Sequence, residues 1–356
     1  MHSSKSSYSE KEKMNSLKNK KLLYIATQEF PGIPLNYNNQ IKGYILPKSE
    51  SKSISERLNL FLEKQNINLE ISTFVTCIVD KIDKNEILKL RKCLPELNHI
   101  ANFGVGFNNI DISFAKELGI RVTNTPGVLT EATADIALTL LLCVTRRIAD
   151  GYSMMKDQGK YPGWSPTFML GQSMQNKTLG IVGYGKIGQA FAKRAQALGM
   201  KCVALKSESW AESKNNPNDI KRLNEKDFLA TIDVLSLNCP LTDSSKYWLN
   251  SQRISMIKPG SFVINTARGE LIDEQALADA LSSDHLAGAG LDVFCNEPNM
   301  SLELQKAKNL FVLPHLGSAT VETRHAMGER VFEAIKSHYI ERYEKHETGV
   351  LLFQVN

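Results

Sequence analysis

Apolar positions along the chain gather in short runs separated by stretches of helical periodicity. The first run, Leu22 to Ile25, precedes a loop rich in Pro, Gly and Asn between Pro31 and Gly43, and strand-like and helical stretches then alternate to about Thr125. Asn124-Thr125-Pro126-Gly127 sets Pro and Gly together, a break in regular structure, and Glu131 to Ile148 is apolar all round, which predicts a buried helix. A loop at Tyr161-Pro162-Gly163-Trp164-Ser165-Pro166 follows. Strands are then predicted at Leu179 to Val182, Cys202 to Leu205, Val234 to Leu237, Phe262 to Ile264, Gly290 to Val293 and Leu310 to Leu313, with helical periodicity in most of the gaps. Such alternation implies right-handed crossovers and a parallel sheet covered on both faces. A last helical stretch runs from Val321 to about Tyr343. The regular array occupies the middle of the chain, and the two flanking pieces can combine into a second domain.

Length supports that division: 356 residues, at ~150 per domain, make two domains. Hydrophobic residues are 42% and charged residues 23%, the usage of an ordinary globular protein. The most apolar run, Ile136 to Val144, is nine residues long against the ~20 of a spanning helix, so no membrane partner is expected. Of the net charge of +5, the first twenty residues supply +3, five Lys against two Glu. The remainder is nearly neutral and shows no basic stripe for nucleic acid. Residues 1–20 read as a solvated tail: they are Ser- and Lys-rich, lack an apolar core and fit neither a secretory signal nor a transit peptide. Six cysteines, Cys77, Cys93, Cys143, Cys202, Cys239 and Cys295, lie scattered with no CxxC pair. They read as reduced thiols of a cytoplasmic protein, and no metal site is expected.

Between the predicted strand Leu179 to Val182 and an amphipathic stretch carrying Ile187, Phe191, Ala195 and Leu198 lies Gly183-Tyr184-Gly185-Lys186-Ile187-Gly188. A strand, a GxGxxG loop and a helix in that order form a dinucleotide site. Gly183 permits the tight turn, Gly185 lets a pyrophosphate approach the backbone, Gly188 lets helix and strand pack closely, and free amides at the helix start receive the anion. The acid that selects NAD belongs at the end of the next strand. Here Lys206 stands in that place, followed by Ser207 and Glu208. A cation and a hydroxyl can accept a 2′-phosphate, so NADP is expected to be favoured moderately over NAD.

Several further stretches resemble the D-isomer-specific 2-hydroxyacid dehydrogenases, most closely their glyoxylate/hydroxypyruvate reductase branch, from about Cys77 to Glu329. The matching segments are Asn102 to Asp111 (NFGVGFNNID), Thr123 to Asp135 (TNTPGVLTEATAD), Gly163 to Pro166 (GWSP), Leu179 to Gly188, Asn265 to Gly269 (NTARG), Ala287 to Pro298 (AGAGLDVFCNEP) and Pro314 to Thr320 (PHLGSAT). The resemblance implies a Rossmann-type NAD(P)-binding domain, residues 125–314, inserted into a flavodoxin-like α/β substrate domain of residues 21–124 and 315–356, with the active site in the cleft between them.

Reducing a 2-keto acid needs a cation for the carboxylate, a proton donor for the carbonyl oxygen and a hydride source. Arg268 follows a predicted strand at the carboxyl edge of the sheet, where open α/β sheets bind ligands, and its planar fork can hold a carboxylate in two places. His315 follows the last predicted strand, and His is the natural acid/base near neutral pH. The resemblance makes His315 the proton donor, Glu297 its carboxylate partner, and Val105 and Gly106 a backbone-amide cradle for the substrate carboxylate. It also makes Asp292 the residue that orients the nicotinamide carboxamide. Thr130 would lie near the nicotinamide, Pro240 and Thr242 at the rim of the adenine and phosphate site, Lys186, Ile187, Ala267 and Gly317 along the cofactor, and Ser318 by the substrate. Trp164 resembles a Trp that reaches into the neighbouring subunit's active site, which implies a homodimer. The implied reaction is the NAD(P)H-dependent reduction of glyoxylate or hydroxypyruvate. Related readings are a 3-phosphoglycerate dehydrogenase, which would need extra cations for the substrate phosphate, a formate dehydrogenase, which would carry Gln in place of Glu297, and a dinucleotide-sensing corepressor.

Overall fold

The computed structural model describes residues 22–49, 52–65, 70–206 and 220–344. Two compact units divide the chain: one takes the chain up to Val128 and from Val321 onward, the other Leu129 to Thr320.

The first unit contains β1 (Leu22–Ala26), β2 (Asn36–Tyr37), β3 (Ile41–Ile45), α1 (Ile54–Gln65), β4 (Ile71–Cys77), α2 (Lys84–Cys93), β5 (His99–Phe103), α3 (Ile112–Glu117) and β6 (Arg121–Thr123). Its sheet runs β2-β3-β1-β4-β5-β6, parallel except for the β2–β3 pair. Without β2 this is the doubly wound order of flavodoxin. Every residue of β4 and β5 is buried, as befits strands covered on both faces.

The second unit contains α4 (Thr130–Thr145), α5 (Ile148–Gln158), β7 (Thr178–Val182), α6 (Lys186–Ala197), β8 (Lys201–Leu205), β9 (Lys221–Leu223), α7 (Glu225–Thr231), β10 (Val234–Leu237), α8 (Ser251–Met256), β11 (Ser261–Asn265), α9 (Glu274–Ser282), β12 (Leu286–Leu291), α10 (Leu302–Lys306) and β13 (Leu310–Val312). All seven strands are parallel in the order β13-β12-β11-β10-β7-β8-β9. The order reverses between β7 and β10, the switch point where a Rossmann sheet takes its dinucleotide. Helix α11 (Val321–Glu344) returns to the first unit.

Three features differ from the sequence pattern. The helix expected from Glu131 to Ile148 ends at Thr145, because the Thr145 carbonyl accepts the Gln172 amide at 2.8 Å and Arg147 turns left-handed at φ 54°. The strand expected at Gly290 to Val293 is β12 and starts earlier. A Cβ at Gly288 or Gly290 would lie 2.5 Å from Val144 or 2.9 Å from Leu140, so these glycines admit α4 against the strand instead of interrupting it. The crossovers fall after Val128 and Thr320 rather than after 124 and 314. The chain from His315 to Gly317 stays with the second unit because Asp292 and Thr133 hold it there. Among the described residues, no helix is long and apolar enough to cross a membrane.

Candidate active site

The glycine loop has three different environments. Gly183, at φ 91°, presses on β10's exit, and a Cβ there would come within 2.5 Å of the Cys239 nitrogen. A Cβ on Gly188 would meet the Gly183 carbonyl at 2.5 Å, whereas one on Gly185 would meet nothing within 4 Å. Open space thus lies beside the start of α6, whose N-cap Gly185 offers no side chain to its first amides, those of Lys186 and Ile187. A pyrophosphate fits this cradle: the amides are available, the helix end is positive, and no side chain stands in the way. Lys206 is exposed at the end of β8, its amide bonded to the Leu223 carbonyl. Ser207 and Glu208 lie outside the described residues. The turn of Pro240 and Thr242 is braced by Ser245, whose hydroxyl donates to the Pro240 carbonyl and accepts from the Thr242 amide, both at 2.8 Å.

At the carboxyl edge of the same sheet, Asn265 organises the exit of β11. Its side-chain amide donates to the Arg268 carbonyl, its Oδ1 accepts from the Ala267 amide, and its own carbonyl accepts from the Asp292 amide. Gly269 then packs on the Phe294–Cys295 backbone, so closely that a Cβ would lie 2.0 Å from the Phe294 carbonyl carbon. Arg268 is thereby held extended and half-buried, its guanidinium partly desolvated. That desolvation lowers its pKa from the ordinary arginine value, opposed by the charges of Glu297 and Glu270.

His315 follows β13 with a left-handed backbone, φ 56°, and its amide donates to the Asp292 carbonyl. Its Nδ1 lies 2.8 Å from Glu297 Oε2, while Glu297 Oε1 accepts the Phe294 amide at 3.2 Å. Glu297 therefore bears on both Arg268 and His315. Asp292 is buried, and its two oxygens accept the Leu316 and Gly317 amides at 2.6 and 2.7 Å. Desolvation raises its pKa against those amides and the His315 charge. Thr133 of α4 donates to the Gly317 carbonyl at 3.0 Å. Ser318 follows, half-buried in the same turn, and Thr130 is partly exposed in the first turn of α4.

The first unit presents Val105 and Gly106 beyond β5. Asn124 donates to the Val105 carbonyl and Asn102 to the Gly106 carbonyl, each at 2.8 Å. The peptide planes are therefore oriented by their oxygens, and their N–H groups find no partner among the described residues. Trp164 is 82% exposed. Asn102, Asn124, Thr133 and Asn265 escaped assignment from the sequence. Three of the four are asparagines within matching segments, and Asn at or just past the carboxyl end of a strand is the signal that could have marked them.

A glycine-loop cradle and an Arg–Glu–His cluster thus share one sheet edge. Residues 138–317 match the family of the D-isomer specific 2-hydroxyacid dehydrogenase, NAD binding domain. The chain belongs to the D-isomer-specific 2-hydroxyacid dehydrogenases. It is 43% identical over 270 residues to a glyoxylate reductase of Thermococcus litoralis, covering 74% of this chain and 78% of that one. Among solved structures it resembles a glyoxylate reductase from Paecilomyes thermophila, TM-score 0.77 and 29% identity over 94% and 98% of the two chains. An NADPH-dependent glyoxylate/hydroxypyruvate reductase from Sinorhizobium meliloti, in complex with NADP and malonate, matches with TM-score 0.76 and 28% identity over 94% and 97%. This dehydrogenase is thus an oxidoreductase with an NAD(P)-binding Rossmann domain and 2-hydroxyacid dehydrogenase activity.

Proposed function

We propose that the enzyme reduces glyoxylate or hydroxypyruvate to glycolate or D-glycerate. The observation that carries this reading is the His315–Glu297 bond at 2.8 Å beside the desolvated Arg268, in a chain 43% identical to a glyoxylate reductase. A reduced dinucleotide held by the Gly183–Gly188 cradle would supply the hydride. Arg268 binds the substrate carboxylate and polarises the keto oxygen, and its low hydration strengthens both contacts. With Nδ1 held by Glu297, His315 directs Nε2 to that oxygen as the proton donor, and Glu297 fixes the orientation of the ring. The unit from Leu129 to Thr320 is assigned to the dinucleotide, with Thr130, Lys186, Ile187, Pro240, Thr242, Ala267, Asp292 and Gly317 along it. The other unit is assigned to the substrate, through the Val105 and Gly106 amides. Ser318 is assigned to the substrate as well.

Lys206 supports a moderate preference for NADPH, since a lysine neither accepts the ribose hydroxyl bonds nor repels a 2′-phosphate. Six free thiols support a cytoplasmic enzyme. A homodimer is supported by the segment 146–173, in which α5 has no buried residue and Ile148, Tyr152, Met155, Tyr161, Trp164 and Leu170 are all exposed. Initial rates for glyoxylate, hydroxypyruvate, pyruvate and 3-phosphohydroxypyruvate with NADH and NADPH test the reading. The first two substrates should lead, and dinucleotide binding with no turnover of any of the four would leave a sensor rather than a reductase.

A further inference from the structure

Helix α11 meets β5 through two imidazoles. His99, the first residue of β5, is fully buried, and its ring lies against that of His338, with centroids 4.7 Å apart and planes tilted by 34°. His99 Nδ1 is 3.3 Å from the Thr73 hydroxyl of β4, and Nε2 is 2.9 Å from the Thr123 hydroxyl of β6. His338 is 8% exposed, and its Nε2–H donates to Asn98 Oδ1 at 2.6 Å. Asn98 is itself fastened by its amide to the Ser72 carbonyl and by its carbonyl to the Arg121 amide. The two rings therefore join three strands and the returning helix, 239 positions apart in sequence (338 − 99).

Neutral rings suit this setting. A neutral imidazole donates once and accepts once, and a threonine hydroxyl can answer either way. Among the described residues, no carboxylate faces a charged His99 to compensate it. The titratable and charged groups that face it are His338 from α11 and Arg121 from β6, both cationic when charged, while β4 presents only the Thr73 hydroxyl. Burial first, then those two neighbours, holds the His99 imidazole well below its ordinary range.

We propose that the packed His99–His338 pair is an acid-sensitive clip that fastens α11 to β5 and opens as the pH falls below neutrality. The elements it joins lead directly to the working parts. β5 runs into the Gly104–Val105–Gly106 turn, and α11 follows the loop of His315 to Ser318. Opening frees the rings to take up protons. An opened state binds a proton below about pH 6.5 that the closed state refuses, so closed-state stability is full above that pH and is lost as the pH falls.

Hydrogen exchange of the full-length protein, corrected for intrinsic rate, reads the opening of α11 and β5 between pH 7.5 and 5.0. In the wild type the opening constant should rise by up to ~tenfold per pH unit below ~6.5 for each ring that takes up a proton. His99→Gln keeps hydrogen-bonding capacity and loses the charge, and should flatten that rise. His338→Gln leaves the strands untouched, should reduce the rise, and decides the matter if His99→Gln fails to fold. The same pH dependence in the wild type and in every variant that folds would overturn the clip.

Discussion

His315 turns Nδ1 to Glu297 at 2.8 Å, which leaves Nε2 as the nitrogen that the proposed mechanism assigns to proton transfer. Replacing it by Gln should lower turnover by roughly 10²- to 10⁴-fold, the range of a lost general acid, with dinucleotide affinity unchanged in a fluorescence titration. Glu297→Gln retains an acceptor oxygen but no charge, and should cost less than the His315 change. Arg268→Lys places an ammonium in the desolvated setting that already lowers the guanidinium's pKa. Lysine shifts more readily, so the variant should bind substrate weakly and lose its residual activity toward alkaline pH, where wild type retains it. Parallel pH profiles would contradict this. For Lys206→Asp, kcat/KM ratios should swing from NADPH to NADH. Because an exposed ion pair contributes only ~0 to 1 kcal/mol, the wild-type advantage of NADPH should be small and should shrink with salt.

Among elements, the β7–loop–α6 unit separates folding from binding. Gly183 is left-handed and pressed on Cys239, so Gly183→Ala forces both strain and displacement and should destabilise by more than ~1 kcal/mol. Gly185 faces open space. Ala there costs at most ~1 kcal/mol as a poorer N-cap, yet its methyl stands where the pyrophosphate is assigned. Gly185→Ala should therefore melt close to the wild type while dinucleotide affinity falls tenfold or more. If both variants melt alike and bind alike, the two glycines do not have these separate roles. β12 is the contrary case for reading elements from pattern: Leu286–Leu291 carries two glycines, which weaken a strand in isolation. Only α4 lying across them shows why they are there.

For the whole molecule, the apolar side chains of α5 and the following loop remain exposed in the single chain. A helix of this length without a buried face is marginal in water, and in the proposed homodimer a second copy would supply the missing face. Ile148→Glu with Tyr152→Glu should yield monomers by sedimentation, with the second unit still folded. In a confirmed dimer, Trp164→Ala should alter the preference between glyoxylate and hydroxypyruvate without changing dinucleotide affinity. The sequence by itself determined what depends on near neighbours: the strand and helix alternation, the glycine turn ahead of α6, and the residue types Arg268, Glu297 and His315 at strand exits. Each is a matter of periodicity, turn chemistry or a short motif within a few residues. Tertiary structure alone decided what depends on distant ones. Asp292 clamps the Leu316 and Gly317 amides, Asn102 and Asn124 orient the Val105–Gly106 peptides, Gln172 ends α4 at Thr145, and His338 meets His99. A carboxylate, an amide or an imidazole has the same local signature wherever its partner lies, and only the folded chain selects which buried group it must satisfy.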